Sequence, residues 1–451
     1  MSRPSISGGM PTSTKRPRFR PGIAKTPQPA KASSDSAITG APKEADEGPK
    51  EATPKALYPG SVAAKVIARI WRGGELTIVD SPPGAGKTAL VVTTVAHLAM
   101  RAGMKILIGT PTRAQGAALI ERLLAEVPAR YIESGIAGVV VPGPIVPASE
   151  KECRIRVATL AKCRISGDRD RFDLLVVDEA YQATNAIVSG AAAGMHQVLM
   201  VGDPGQIGPV VTVDVSIWRG MKNAPHLPAP EAVGTYNDIE RFHLDKSWRL
   251  GPASAAAIAP VYPFAFSSAN VARSLVAGDG TPVAEIEHVE VARATKVDDL
   301  DALGAVVDRV RHLMRGTLAI TDPHTGAVEQ RTVAGDDVAV VVSRNSQVSI
   351  VTGMLRQHAL AGVSVGTADR LQGKEWPVVV ALDPLLGSSG DQNEHNLSIG
   401  RLCVMASRHN THLTWVHDDA WPDGVNGNTS VARIGRAVRK ALVGGSLVPA
   451  I

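Results

Sequence analysis

The chain has 451 residues, 44% hydrophobic but only 4% aromatic, and a formal net charge of +5. That length exceeds what one hydrophobic core serves, so roughly two or three domains are expected, with interiors of Ala, Val, Leu and Ile. No uninterrupted apolar run approaches the roughly 18 residues of a membrane span. Met1 leads into a Pro, Ser and basic stretch without the apolar core of a secretory signal. Three cysteines, Cys153, Cys163 and Cys403, make neither a disulfide framework nor a metal knuckle at these spacings. A reducing, cytoplasmic setting is the expectation.

Residues 1–56 hold ten basic residues and five acidic ones, which leaves 38 of each sign for the remainder. The body is therefore formally neutral and the excess charge belongs to the N-terminal stretch. That stretch is rich in Pro, Ser, Thr, Ala, Gly and Lys, with Phe19 its one aromatic residue. Ordering a residue costs about 1.5 kcal/mol and little here can be buried in return, so a disordered basic tail is predicted over 1–56. Its cluster Lys15, Arg16, Arg18 and Arg20 reads as solvated charge that can also touch phosphates.

From Tyr58 onward short apolar runs alternate with longer amphipathic stretches. Strands are predicted at Leu76–Asp80, Lys105–Thr110, Arg154–Ala158, Leu174–Asp178 and Val198–Gly202, and again at Val338–Ser343, Val363–Thr367, Val378–Leu382 and Leu413–His417. Several are unbroken Val, Ile and Leu runs, the signature of parallel strands covered on both faces. Helical patterns lie between them at Lys87–Arg101, Ala114–Glu126, Asp298–Met314 and Ser346–Ala361. The fold class is thus α/β, with a strandless loop at Trp218–Gly234 near the seam between two domains, 57–243 and 244–451.

The strand Leu76–Asp80 runs into Ser81-Pro-Pro-Gly-Ala-Gly-Lys-Thr88 and an apolar helical stretch, the context that gives a Walker A pattern its meaning. Backbone N–H groups from Gly84 through Thr88, flanked by Pro83 and Ala89, would face phosphate oxygens at a helix N-terminus, with Ala85 and Gly86 inside the turn. Lys87 would reach the terminal phosphates and the Thr88 hydroxyl would ligate Mg²⁺. Ser81 occupies the place of the pattern's first Gly. Further on, Leu174–Asp178 ends in a carboxylate pair: Asp178 is placed to hold the metal shell and Glu179 to deprotonate an attacking water.

The ordered series over residues 70–420 resembles the superfamily 1 helicases, in particular their up-frameshift-like and viral branches. Gly109-Thr-Pro-Thr-Arg113 is similar to motif Ia, which implies strand contacts for Thr110, Pro111 and Thr112; Val157-Ala-Thr-Leu-Ala161 is similar to motif Ic, with Thr159 as another backbone contact. Leu199–Pro209 resembles motif III, where Asp203 and Gln206 would sense the terminal phosphate. Leu244–Leu250 and Arg401–His409 resemble the motifs whose arginines, here Arg249 and Arg408, enter the nucleotide cleft from the second domain. Val341–Gln347 is similar to a strand and turn of the up-frameshift branch. Gly366–Trp376 resembles motif V, implying Thr367 on nucleic acid and Gln372, Gly373 and Glu375 on the nucleotide side.

The resemblance implies two tandem RecA-like P-loop NTPase domains with parallel sheets, ATP and Mg²⁺ between them, and single-stranded DNA or RNA across the other face, moved 5′ to 3′. Candidate protein partners are replication, repair, viral or phage factors, and no membrane is involved. Two competing classes are a P-loop ATPase acting on protein partners and a nucleic-acid-binding scaffold. The short stretch between the Ia and Ic matches shows no extra domain. Trp248, Trp376 and Trp415 adjoin motif residues; Trp415 reads as core, and base stacking is an alternative for Trp376. His409 and His412 bracket a polar turn without metal-ligand spacing. Deleting residues 1–56 is expected to weaken nucleic-acid binding at low salt while saturated ATP turnover stays intact, as titrations at two ionic strengths will show.

Overall fold

The computed structural model describes residues 52–448 apart from 143–151, 168, 235, 270–272, 323–324, 389–393, 420, 422–424 and 426. The tail expected over 1–56 lies outside the described residues up to position 51. Two all-parallel sheets organise the rest. The first contains β1 (Leu76–Asp80), β2 (Ile106–Thr110), β3 (Ile132–Ser134), β4 (Ile155–Thr159), β5 (Leu174–Asp178), β6 (Gln197–Gly202) and β7 (Ile239–His243), in the order β3-β4-β2-β5-β6-β1-β7. After the short strands β8 (Lys246–Ser247) and β9 (Ser267–Ser268) come β10 (Arg273–Val276) and β11 (Pro282–Val283). Then follow β12 (Ile286–Glu290), β13 (Thr317–Thr321), β14 (Val328–Thr332), β15 (Val338–Val342), β16 (Ser364–Thr367), β17 (Trp376–Leu382), β18 (His409–His417) and β19 (Ser446–Leu447). The second parallel sheet has the order β16-β15-β17-β18-β12-β19.

Helices cover both sheets: α1 (Val62–Trp71), α2 (Lys87–Arg101), α3 (Arg113–Leu123), α4 (Leu160–Ile165) and α5 (Asn185–Ala192) belong to the first layer. The later ones are α6 (Pro252–Ile258), α7 (Leu300–Leu313), α8 (Asn345–Gln357), α9 (Ala368–Leu371), α10 (Glu394–Leu397), α11 (Ile399–Met405) and α12 (Ser430–Leu442). Strands β1, β2, β5 and β15 are buried at every position, as apolar runs covered on both faces should be. Each sheet carries one apolar cluster per face. Val79, Ile108 and Val176 mark one side of the first sheet and Ile78, Leu107 and Val177 the other. Val340 and Val380 oppose Val341 and Val379 in the second.

Each predicted strand and helix is present, with shifts at the ends. Two ends shift by four residues: α8 stops at Gln357 instead of Ala361, and β18 begins at His409 instead of Leu413, so the polar turn expected around His409 and His412 is corrected to strand. Both histidines are fully buried, and of their ring nitrogens only His409 Nδ1 lacks a hydrogen-bond partner among the described residues. His409 Nε2 lies 2.6 Å from Ser254 Oγ, and His412 bonds the Ala284 carbonyl at 2.7 Å and Thr414 Oγ1 at 2.7 Å. Burial pushes both imidazoles down to about 3. Among the described residues no three His, Cys, Asp or Glu side chains gather as a metal site.

The loop Trp218–Gly234 is strandless apart from a single bridge between Thr184 and Pro228. It lies against the first layer, where Asn185 and Ala186 donate to the carbonyls of Leu227 and Pro225. An antiparallel sheet, β11-β10-β13-β14, was not foreseen, since β14 is exposed throughout and shows no apolar face. No helix among the described residues is long and apolar enough to cross a membrane.

In the second layer α12 is tied to the end of β17 by Arg439, whose Nε donates to Asp383 Oδ2 at 2.9 Å with both side chains buried. Removing one partner leaves the other charge buried and alone. Arg439→Met is therefore expected to cost about 3–5 kcal/mol in urea unfolding, and the double variant Arg439→Met/Asp383→Leu to cost less than the single one.

Candidate active site

Strand β1 delivers the chain to a turn in which Gly84 and Gly86 adopt φ +72° and +87°, a region open to glycine. Gly86 is the N-cap of α2 and has no side chain to satisfy the first-turn N–H groups. Those donors and the positive end of the helix dipole therefore point at open space, an arrangement suited to an anion. A cavity of about 440 Å³ lies there, lined on one side by Gly84 through Ala89 and Glu179 and on the other by Arg249, Gly373, Glu375 and Arg408. Gln206 also lines it, as do Lys374 and Arg122.

The facing wall reaches the loop through a short crossing segment. Ser247 Oγ donates to the Pro83 carbonyl at 2.7 Å and the Trp248 N–H to the Gly84 carbonyl at 3.0 Å. The next residue is Arg249. A Cβ on Gly84 would overlap Arg249 Cβ, so only glycine lets the segment pass. Arg249 Nε donates to Glu375 Oε2 at 2.6 Å and its Nη1 reaches the Ser407 carbonyl at 3.4 Å.

Arg408 is different. Its guanidinium is fully buried and held by neutral oxygens: Val404 O at 3.2 Å, Lys374 O at 3.4 Å and Ser407 Oγ at 3.0 Å. Among the described residues no carboxylate pairs with it. Burial, then the charge of Arg249, lowers it to about 10, so it stays cationic at neutral pH. Lys87 Nζ sits 3.7 Å from Glu179 Oε1 and 3.8 Å from Asp203 Oδ2.

Asp178 ends β5, buried, its Oδ1 accepting the Glu179 N–H at 3.1 Å. Burial and the neighbouring Glu179 carboxylate push Asp178 up to about 7, against the pull of Lys87. Glu179 itself has φ +53°, a conformation that costs a non-glycine residue free energy and recurs at functional turns. One residue pair further, Tyr181 donates to Asp80 Oδ1 at 2.8 Å and Arg241 to Asp80 Oδ2 at 2.7 Å. This cluster, with Asp80 and Tyr181 buried and Arg241 exposed, fixes the end of β1 against the turn that carries Glu179.

Asp203 follows β6 and is buried beneath the cavity. It accepts from the Gly205 N–H at 2.9 Å, Gln206 Nε2 at 2.6 Å and the Tyr262 hydroxyl at 2.9 Å. Gln206 Oε1 in turn accepts from Gln372 Nε2 at 3.2 Å. Thr88, in the first turn of α2, lines the cavity, and Asp178 ends β5, two strands from the β1 that leads into that helix. Uncapped amides, Lys87, an orphaned guanidinium and two carboxylates form a donor set that fits a nucleotide phosphate chain and a divalent cation.

The threonines expected on nucleic acid sit at the C-terminal edges of both sheets. Thr112 caps α3, its Oγ accepting the Gln115 N–H at 3.2 Å; Thr159 caps α4 and Thr367 caps α9 in the same way. Pro111 is half-buried beside Thr112. Thr110 departs from the expectation: it is fully buried, with its hydroxyl near the carbonyls of Thr112 (3.1 Å) and Ala158 (3.4 Å), so its side chain is unavailable to a strand. A chain of amides joins this edge to the cavity. Thr112 bonds Gln115 Oε1 at 2.8 Å, Gln115 Nε2 reaches Gln182 Oε1 at 3.4 Å, and Gln182 Nε2 reaches Glu179 Oε2 at 3.3 Å. Trp376 and Trp415 are buried and Trp248 is 59% exposed.

Sequence reasoning missed Arg122 and Tyr262. Arg122, in the last turn of α3, looks like any solvated helix arginine until α3 is folded against β4 and β2 and brings it to the cavity. Asp178 gives a measurable consequence. Its folded value near 7 exceeds the unfolded 3.8, so the folded chain keeps a proton that the unfolded chain releases, and stability falls as pH rises through that window. Without nucleotide or metal, Asp178→Asn is therefore expected to be more stable than the parent. The gap should widen from pH 5 to pH 8 by on the order of 2 kcal/mol in chemical denaturation.

Residues 63–226 match the family model described as an AAA domain. Among solved structures, the PRRSV helicase aligns with a TM-score of 0.42 and 17% identity over 78% of this chain and 54% of its own. The arterivirus nonstructural protein 10 helicase aligns at 0.42 and 18% over 79% and 61%. The same helicase in complex with DNA aligns at 0.40 and 17% over 79% and 63%. The chain spans less than two thirds of the length of each of these proteins. Within its first layer the chain is thus similar to an AAA domain.

Proposed function

We propose that this chain hydrolyses ATP to drive movement along single-stranded DNA or RNA, with RecA-like domains at 57–243 and 244–451. The observation that carries the reading is Arg408: a fully buried guanidinium without a carboxylate partner, opening on the same cavity as Lys87. A buried charge is retained only where something neutralises it. A polyphosphate bound at the α2 N-terminus is the partner that suits both cations.

In this reading the N–H groups of Gly84 through Thr88 hold the phosphates and Lys87 leaves its two carboxylates for the terminal phosphate. Mg²⁺, when bound through Thr88 and Asp178, neutralises charge on the phosphate oxygens. Glu179 orients the attacking water and takes its proton. Arg249 and Arg408 stabilise the charge that spreads over the transferred group, an effect worth roughly 10³–10⁵ in rate for such arginines. Thr112, Thr159 and Thr367, each at a helix start beside a strand end, suit the backbone phosphates of a single strand. The amide chain from Thr112 through Gln115 and Gln182 to Glu179 supports a link between strand binding and hydrolysis.

The test is ATPase activity titrated with single-stranded DNA and RNA, followed by unwinding of duplexes with 5′ or 3′ overhangs. Lys87→Ala and Glu179→Gln are each expected to lower turnover by at least about 10², with Glu179→Gln still binding nucleotide. Near-parental turnover in either variant would falsify the assignment.

A further inference from the structure

Three donors converge on the Asp203 carboxylate, and one of them is foreign to its layer. The Gly205 N–H and the Gln206 amide come from the turn after β6. Tyr262 comes from the segment after α6, thirteen residues beyond Arg249, and its ring is buried in the apolar core of the second layer with Leu250, Ile258 and Leu402. Phe264 and Phe266 meet that ring edge-on at 5.6 and 5.1 Å, which fixes its orientation.

The turn is shaped to receive it. A Cβ on Gly205 would lie 2.5 Å from the Tyr262 ring, and a Cβ on Gly400, in α11, 2.6 Å from the Gln206 carbonyl oxygen. Two glycines, one from each layer, thus permit the close approach. Cys403 Sγ lies 3.3 Å from the Tyr262 hydroxyl. Burial pushes that thiol up to about 12, so it keeps its proton and can donate to the phenol oxygen. The phenol's own proton then goes to the stronger acceptor, Asp203.

We propose that Tyr262 is a positioning residue: its hydroxyl sets the Asp203 carboxylate, and through it the Lys87 ammonium 3.8 Å away, so that the phosphate loop is completed only when the second layer is docked. The inference rests on the reading of the cavity as a nucleotide-hydrolysing site. It gives the second layer a way to act on the loop that is separate from its arginines. Arg249 and Arg408 would meet the substrate directly, whereas Tyr262 acts through a carboxylate that never leaves the protein interior.

The experiment compares saturating kcat, KM for ATP and thermal midpoint for the full chain, Tyr262→Phe, Asp203→Asn and the double variant. Phenylalanine keeps the ring packing and deletes the donor alone. Tyr262→Phe is expected to lower kcat roughly tenfold with a smaller change in KM, and the double variant to be no slower than Asp203→Asn. Parental kcat in Tyr262→Phe or in Asp203→Asn overturns the inference, as do losses that multiply in the double variant, which mark two independent effects. A parental protein that turns over no nucleoside triphosphate overturns the hydrolase reading and this inference with it, an outcome distinct from the other two.

Discussion

Gly84 and Arg249 occupy almost the same space. The segment Ser247–Arg249 lies so close on the phosphate loop that one added carbon at Gly84 would overlap the Arg249 Cβ, and the two hydrogen bonds from Ser247 and Trp248 to the loop carbonyls hold it there. Much else depends on this crossing. It brings Arg249 and the residues that follow it to the cavity and sends the chain from the first layer into the second at the loop itself. The positive φ of Gly84 therefore serves two constraints at once, the turn of the loop and the passage of the neighbouring segment. Alanine there would meet both a conformational and a steric penalty.

The charges around the cavity are arranged with unequal satisfaction. Lys87 stands between two carboxylates, both beyond hydrogen-bond distance, while Arg408 has only neutral oxygens around it and Asp178 is held in a buried place that favours its protonated form. Sites that must bind a polyanion and a cation keep such imbalances, because the bound groups relieve them. The conformational cost at Glu179 belongs to the same pattern: a carboxylate lining the cavity is held at positive φ beside the Tyr181–Asp80–Arg241 cluster.

What was legible in the sequence follows from the same physics. Strands covered on both faces appear as unbroken apolar runs, so Leu76–Asp80 and Leu174–Asp178 are read residue for residue, and the glycine-rich turn between a strand and a helix marks its own function. β18 is misread at its start because His409 and His412 are buried polar residues whose partners, Ser254 and Ala284, lie far away in sequence. β7 and β14 are mostly exposed and carry no apolar run. Thr110 fits its motif yet is buried, because β2 is covered on both faces. Arg122 and Tyr262 carry no local pattern at all; each is defined by what the fold brings beside it.

The joint between the two layers differs in kind from the layers themselves. Each sheet has its own pair of apolar clusters, and among the described residues Ile207 of the first layer packs, half-buried, on a cluster of the second. Across the joint run hydrogen bonds from Ser247 to Pro83, Tyr262 to Asp203 and Gln372 to Gln206, together with a stack of the His243 ring on Phe264 at 4.5 Å. A polar joint of this kind loses little free energy when water replaces protein partners, because each net bond is worth only about 1 kcal/mol. An apolar core split at the same place would expose surface at about 25 cal/mol per Å². Rigid sheets joined through a few polar contacts can therefore open and close without unfolding. Those contacts converge on two turns, the phosphate loop and the turn after β6, so that closure and the placement of Lys87 and Asp203 become one event.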